Sequence, residues 1–204
     1  TEIIYLFIRK MVEFLEKHEL SKLKPTIAGL SFNIFRHCFY DKKKNPIYIH
    51  DWKNAIKLER ESYSGGITDC FRVGQINEMT YKLDINSMYP HIMRENPLPD
   101  RLLFYSCNPE HDLLKYYNEL KKDYLVIARC KVRIPEEYAY ILTSMEVGRD
   151  TKSVLTYGEM EVVKCSPELD FIEKYGEILE VKELAIYSSK KLFTGFIDFF
   201  YQKR

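Results

Sequence analysis

The chain has 204 residues, of which 46% are hydrophobic, so it can bury a core in one domain or in two small lobes. Its formal net charge of +1 excludes a strongly basic nucleic-acid-binding tail, although it leaves room for a local basic surface. The five cysteines form no Cys-x-x-Cys pair, which excludes the usual zinc-site spacing. No apolar run is long enough to span a bilayer. We therefore expect a soluble cytoplasmic protein with reduced thiols and no membrane partner.

The first segment of the chain has helical periodicity. Apolar residues recur at three- and four-residue spacing over residues 1–18, which predicts an amphipathic helix. Because this helix has no N-cap and no initiator Met, we interpret residue 1 as a cut in a longer protein. Residues 41–46, Asp-Lys-Lys-Lys-Asn-Pro, predict a charged loop. Its lysines could contact a phosphate backbone, but a solvated connector is the simpler interpretation.

Two patterns follow in the middle of the chain. The adjacent glycines at positions 65 and 66 allow a tight turn or a close approach of another backbone. Residues 79–85 alternate between apolar and polar side chains, which predicts a β-strand. Residues 86–93 then predict a turn and a short helix, because Pro97 and Pro99 follow it.

The second half of the chain mixes strands and helices. Residues 124–134 predict a strand with an apolar face and, on the opposite face, the three cations Arg129, Lys131 and Arg133. A helix is predicted from Ser166, as its cap, to Gly176, and a strand over residues 178–187. An amphipathic helix is predicted from about Lys190 and ends without a C-cap, so we interpret this end also as a cut. Because no regular βαβ units appear, the predicted fold class is α+β.

Asp84 is the acid most suited to chemistry. It lies at the end of the strand predicted over residues 79–85 and is followed at once by a turn, where a metal ion could reach its carboxylate. The backbone N–H groups of Ser87 and Met88 would point toward a ligand beside Asp84, which suits a triphosphate. Tyr89 would then pack on a sugar or a base. The alternative is structural: Asp84 could simply cap the following helix.

Two motifs carry a resemblance to a known family. Asp84-Ile-Asn-Ser-Met-Tyr-Pro90 resembles the first polymerase motif of family B DNA polymerases, Asp-x-x-Ser-Leu-Tyr-Pro, with Met88 in place of Leu. Tyr63-Ser-Gly-Gly66 resembles the Tyr-x-Gly-Gly motif that lies between the exonuclease and polymerase regions of these enzymes. The order and spacing of the two motifs are also those of the family. The chain is most similar to the protein-primed branch found in phages and linear plasmids.

The resemblance implies a role for each matched residue. Asp84 would be one of two carboxylates that bind Mg²⁺ or Mn²⁺, with the Ile85 carbonyl as a further ligand. Ser87 and Met88 would contact the incoming deoxynucleotide through their backbone. Tyr89 would pack under its sugar and help to exclude ribonucleotides. For the DNA template, the resemblance implies a second set of contacts, made by Tyr63, Gly65 and Gly66.

The resemblance also implies a domain organisation. Residues 1–60 would be a helical linker after the exonuclease region, and residues 61–95 the start of the palm. Residues 96–190 would be the mixed strand and helix insertion that contacts the terminal protein, whose hydroxyl primes synthesis. Residues 191–204 would start the fingers. Because of its position, we predict that the basic face of Arg129, Lys131 and Arg133 binds the terminal protein. The alternatives are contact with duplex phosphates and a simply solvated outer face of the strand.

Several expected motifs are absent from the sequence. It contains no Asp-x-Asp to supply the second metal-binding position, no lysine-bearing fingers helix and no Asp-x-Glu exonuclease pair. The resemblance therefore implies one part of a DNA-directed DNA polymerase that is inactive by itself. The alternative is a module that binds DNA or a terminal protein and performs no chemistry. A cytoplasmic location is expected, or a mitochondrial one for a linear mitochondrial plasmid.

Overall fold

The computed structural model describes residues 2–66, 72–139, 144–147 and 152–203. The chain forms two compact units. The first, which we call the helical unit, combines Thr1–Ile47, Ile85–Leu98 and Lys190–Arg204, and the second, which we call the sheet unit, combines Tyr48–Asp84 and Pro99–Ser189.

The described residues form seven α-helices and six strands. The helices are α1 (Glu2–Lys17), α2 (Ile27–Ile34), α3 (Lys53–Ser62), α4 (Met88–Glu95), α5 (Leu113–Leu120), α6 (Ser166–Tyr175) and α7 (Thr194–Tyr201). The strands are β1 (Leu98–Ser106), β2 (Leu125–Ile134), β3 (Ser144–Val147), β4 (Lys152–Leu155), β5 (Gly158–Cys165) and β6 (Glu177–Lys190). A π-helical turn, Phe35–Phe39, continues α2, and a short 3₁₀ turn, Glu136–Tyr138, follows β2. This mixture confirms the predicted α+β class.

The helical unit is built around a small apolar core. Its buried residues come from the end of α1 and from α2, and phenylalanines of α7 pack against them: Leu15, Leu20, Leu30 and Ile34, with Phe196, Phe199 and Phe200. Helix α4 is joined to α7 by Arg94, whose Nε donates to Asp198 Oδ1 at 2.5 Å. Thr194 Oγ1 also donates to the Arg94 carbonyl at 3.2 Å. The helix predicted over residues 1–18 is thus confirmed, and the helix predicted from about Lys190 is present but begins at Thr194, because β6 continues to Lys190.

The sheet unit is organised by strand β2. The four-stranded sheet has the order β1-β6-β2-β5, and β2 pairs antiparallel with β5 and with β6. The predicted alternation of β2 is confirmed, because five side chains on one face are almost completely inaccessible: Val126, Ala128, Cys130, Val132 and Ile134. Leu169 and Ile172 of α6 and Tyr117 of α5 complete this core. A separate two-stranded sheet pairs β3 with β4.

The other face of the sheet is covered only in part. Leu58 of α3 is fully buried against Ala185 and Tyr187 of β6. Partly buried Leu125 and Ile127 extend this second cluster along β2. Beyond them β2 continues with its three cations on the same face. Helix α3 therefore covers the beginning of β2, and the charged part of the strand remains outside that apolar cluster.

Helix α6 begins as predicted, but with a different cap. The backbone N–H of Cys165 donates to Glu168 Oε2 at 3.3 Å, which forms one half of a capping box. Ser166, predicted as the cap, is used elsewhere: its Oγ accepts from the Val126 N–H of β2 at 2.6 Å. The serine therefore connects the start of α6 to the beginning of the central strand β2.

The predicted strand over residues 79–85 is wrong. The structure assigns no strand there, and residues 79–85 are exposed, with Leu83 91% accessible. A strand exists only when a neighbouring strand satisfies its backbone N–H and C=O groups. No strand in the described part of the chain pairs with this segment. The apolar alternation of residues 79–85 is present, but no described strand lies beside them to accept and donate backbone hydrogen bonds.

None of the helices in the described ranges is long and apolar enough to cross a membrane.

Gly176 ends helix α6 where the chain passes close to β2. A Cβ atom at this position would lie 2.6 Å from the Arg133 carbonyl oxygen and 3.1 Å from Ile134 Cδ1. Because the first neighbour is backbone, it cannot rotate away. The absence of a side chain at Gly176 therefore lets β6 follow α6 directly at the end of the sheet.

We predict that Gly176→Ala destabilises the chain. The added methyl group forces the backbone of β2 to shift, and overpacking of this kind costs about 1–3 kcal/mol. The thermal unfolding midpoint, followed by circular dichroism, should fall by several degrees. Gly65→Ala is the matched control, because a Cβ there would meet nothing within 4 Å. Equal midpoints for the two variants would contradict the close approach.

Candidate functional site

Asp84 lies in an extended, exposed segment immediately before a turn. Its predicted exposure is confirmed, although the strand predicted to carry it is not present. Among the described residues, no hydrogen bond or ion pair occupies its carboxylate. The alternative in which Asp84 caps helix α4 is not supported, because the N-cap of that helix is Ser87. Asp84 is thus an available carboxylate.

Ser87 turns the chain abruptly into helix α4. Its backbone has φ 54° and ψ 42°, in the left-handed region that residues with a Cβ adopt at a cost. The Ser87 carbonyl accepts the first helical hydrogen bond, from His91 N at 2.9 Å. Two residues into the helix, Tyr89 is 70% exposed. Pro90 has no N–H, so the first turn of α4 presents the amides of Met88 and Tyr89.

The Tyr63-Ser-Gly-Gly66 segment leaves helix α3 in an extended conformation. Tyr63 follows the last residue of the helix and is 84% exposed. Ser64 Oγ donates to Glu168 Oε1 at 3.3 Å, which attaches the segment to the start of α6. Neither glycine adopts the left-handed region, and a Cβ on either would meet nothing within 4 Å. The glycines therefore leave open space in the described part of the chain, and a close approach by another backbone stays a prediction.

The metal implied by the motif can be tested against its donors. Mg²⁺ and Mn²⁺ prefer oxygen ligands, and the exposed Asp84 carboxylate is a donor of this kind. In the ranges that the structure describes, no group of three or more His, Cys, Asp or Glu side chains could hold a metal ion. These residues therefore fit one part of a divalent-metal site, with Asp84 as the carboxylate and the Ile85 carbonyl beside it in sequence.

The predicted basic face of β2 is not basic. Arg129 is the most enclosed of its cations and pairs with three glutamates: Glu61 of α3, Glu183 of β6 at 2.9 Å and Glu161 of β5 at 3.8 Å. The local sequence does not predict these ion pairs, because the three glutamates come from separate elements. The hydrogen bond from Arg129 lowers the pKa of the Glu61 carboxyl below its ordinary value.

The two outer cations are neutralised in the same way. Lys131 Nζ lies 2.7 Å from Glu159, and Arg133 contacts Glu159 at 2.7 Å and Glu177 at 2.9 Å. We call this set of residues the charge ladder: Arg129, Lys131 and Arg133 with Glu61, Glu159, Glu161, Glu177 and Glu183. Hydrogen bonds from Lys131 and then Arg133 lower the pKa of the Glu159 carboxyl to about 2. The physical basis for a long-range attraction of an acidic partner is therefore weaker than the sequence indicates.

The comparisons with known proteins identify the family. The family described as DNA polymerase type B, organellar and viral, matches the sequence over residues 1–204. The chain belongs to this family. The resemblance stated from the two motifs is thus confirmed over the whole chain, and not only over the segment that carries them.

Solved structures share the fold of this type B polymerase chain. A ternary complex of Phi29 DNA polymerase with primer-template DNA and incoming nucleotides matches with a TM-score of 0.62 and 19% identity, over 93% of this chain and 33% of that one. Phi29 DNA polymerase with single-stranded DNA matches with a TM-score of 0.57 and 19% identity, over 93% and 32%. The chain thus spans about a third of the solved relatives. A search of curated proteins finds no match.

We predict that the charge ladder stabilises the fold in a pH-dependent manner. The folded pKa of Glu159 lies below its ordinary value of 4.5, so its contribution is complete above about pH 4.5 and is lost as the pH falls toward 2. Glu159→Gln should therefore lower the thermal unfolding midpoint at neutral pH. The difference from the parent chain should shrink as the pH falls.

The control for this prediction is Glu110→Gln, because the Glu110 carboxylate makes no ion pair within the described ranges. Its midpoint should follow the parent chain at every pH. A Glu159→Gln difference that stayed constant between neutral pH and about pH 2 would exclude an ionic contribution.

Proposed function

We propose that the chain is part of a DNA-directed DNA polymerase that adds deoxynucleotides to a growing strand. The observation that carries the proposal is the family match over residues 1–204, within which Asp84 is an exposed carboxylate with no partner among the described residues. The relatives that share the fold are described with primer-template DNA and incoming nucleotides. Because the chain spans about a third of them, we propose that it is inactive by itself.

Asp84 is proposed as a metal-binding catalytic residue. Together with the Ile85 carbonyl it would hold Mg²⁺ or Mn²⁺, and a second carboxylate from another part of the enzyme would complete the site. A bound pair of metal ions stabilises the charge that develops during phosphoryl transfer. The contribution of this chain is an oxygen donor that pairs with no cation among the described residues.

The turn after Asp84 is proposed to bind the incoming nucleotide. The left-handed Ser87 starts helix α4, whose first amides are unsatisfied within the helix and therefore suit an anionic phosphate. Met88 would contribute its backbone to the same contact. The exposed ring of Tyr89 would pack on the sugar and exclude a 2′-hydroxyl.

The DNA template is proposed to run along Tyr63, Gly65 and Gly66. The open space around both glycines allows a nucleic-acid backbone to approach closely, and the exposed Tyr63 ring can stack on a sugar or base. The enzyme is proposed to act in a cytoplasm, or in mitochondria if a linear mitochondrial plasmid encodes it.

Priming by a terminal protein is the finer part of the proposal. It is supported by the resemblance of the two motifs to the protein-primed branch and by the fold shared with Phi29 DNA polymerase. Residues 96–190 would contact the terminal protein, with Arg129, Lys131 and Arg133 as candidate contacts. The second candidate function is a module that binds DNA or a terminal protein without chemistry, and the same experiments separate the two.

We predict that Asp84→Asn, made in the enzyme that contains this chain, lowers the rate of nucleotide addition by about 10²–10³-fold or more. DNA affinity should change little, because the substitution removes metal charge from the transition state and no contact to DNA. Primer extension and fluorescence anisotropy on one preparation measure the two quantities. Asp123→Asn, the same change at an exposed position, is the control. Parallel losses of affinity and rate would contradict the catalytic role.

The terminal-protein proposal predicts two opposite changes. Lys131→Gln with Arg133→Gln should slow protein-primed initiation and leave extension from a DNA primer almost unchanged. Glu159→Gln with Glu177→Gln removes the neutralising acids and should speed initiation, since the cations then attract an acidic partner. Initiation and extension can be assayed on the same variants. If both double variants reduce initiation equally, the ladder affects initiation by stabilising the fold and not by contacting the terminal protein.

A further inference from the structure

The loop over residues 41–46 is a turn that side-chain hydrogen bonds hold in place. Asp41 Oδ1 accepts from the backbone N–H of Lys43 at 2.9 Å and of Lys44 at 3.2 Å. The ends of the loop are also fixed, because the Ile47 N–H donates to Tyr40 Oη at 2.9 Å. The turn holds the backbone in a defined position, and the lysine side chains of the loop remain exposed.

A second basic segment lies along the neighbouring helix. The residues that follow α1 are attached to α2 and its π-helical continuation: Cys38 Sγ donates to the Leu20 carbonyl at 3.0 Å, and Asn33 Nδ2 donates to Ser21 Oγ at 2.5 Å. These contacts bring residues 20 and 21 alongside residues 33 and 38, and Lys22 and Lys24 follow directly in the chain. Both segments lie in the helical unit, as does the lysine loop.

These three segments together carry six exposed cations, which we call the basic strip: Lys22, Lys24, Arg36, Lys42, Lys43 and Lys44. Within the described part of the chain, these six cations make a single ion pair, between Lys44 and Asp41 at 3.9 Å. The contrast with the charge ladder is direct. There every cation has a glutamate within 3 Å, whereas here five of the six cations make no ion pair with a described residue.

We propose that the basic strip binds the phosphate backbone of DNA. Exposed lysines and arginines are the groups that release counterions from a phosphate backbone on binding. Asp41, at 3.9 Å from Lys44, is the one acid paired with the strip in the described ranges. The choice of DNA as the partner rests on the proposed polymerase function. The strip would add affinity without sequence preference and would hold a strand outside the residues assigned to catalysis.

Salt dependence gives a quantitative test. In Lys42→Gln with Lys43→Gln, affinity for a mixed-sequence oligonucleotide should fall, and the slope of log affinity against log salt should become shallower. If both lysines contact phosphates, the change in slope is about 1.4 for single-stranded DNA and about 1.8 for duplex DNA. Lys22→Gln with Lys24→Gln should act in the same direction. Fluorescence anisotropy with both kinds of oligonucleotide shows which form of DNA occupies the strip.

The matched control is Lys53→Gln with Lys122→Gln, which removes the same charge from exposed lysines of the sheet unit that make no ion pair in the described ranges. This control should retain the parent slope. An equal change in slope for control and strip variants would mean a general charge effect and would overturn the proposal. Competition by polyglutamate, with DNA affinity unaffected by the strip variants, would also overturn it and assign the strip to an acidic protein.

Failure of this proposal is distinguishable from failure of the proposed function. At saturating DNA, the strip variants should add nucleotides at the parent rate, because they leave Asp84 intact. If DNA affinity and slope stay at parental values while Asp84→Asn abolishes addition, the strip proposal alone is wrong. If the parent enzyme adds no nucleotides, the polymerase proposal fails, and the anisotropy measurements still decide whether the strip binds DNA.

Discussion

The sheet unit depends on the burial of one face of strand β2. This strand is paired on both sides, and five of its side chains alternate into a core closed by α5 and α6. Because the side-chain period of a strand is two, a one-residue slip would place the charged residues in the core and the apolar ones outside. The register of β5 and β6 therefore follows from β2, and the partners of every charge on the opposite face follow from that register.

The same constraint explains how a basic pattern in the sequence becomes a neutral surface. On β5, Glu159 and Glu161 alternate with apolar residues that face the core, so they emerge beside the cations of β2. On β6, Glu177 and Glu183 lie opposite Arg133 and Arg129, although two register shifts interrupt the pairing between them. Exposed ion pairs of this kind each contribute little to stability, but a ladder restricts which strands can lie side by side. We therefore expect the ladder to contribute to strand register.

Periodicity predicted the elements that carry a strong amphipathic pattern, namely α1, β2, α6, β6 and α7. It did not predict α2, α3, β1 or β5, although β5 alternates once its pairing with β2 is known. Residues 79–85 show the opposite error: their alternation is real, but strand formation is decided by a pairing partner that sequence spacing cannot reveal. At the candidate site, the motif identified Asp84 and Tyr89. The left-handed backbone of Ser87 and the acids around Arg129 depend on tertiary structure and were not predictable.

The helical unit is assembled from three stretches of chain, and α7 at the far end supplies the phenylalanines that cover Leu15 and Leu30. Close to 180 residues separate Leu15 from Phe196. At a synthesis rate of about 5–20 residues per second, α1 leaves the ribosome roughly 10–35 s before α7 exists. During that interval its apolar side chains have none of their α7 partners. The helical unit can therefore complete its core only after the sheet unit has been synthesised.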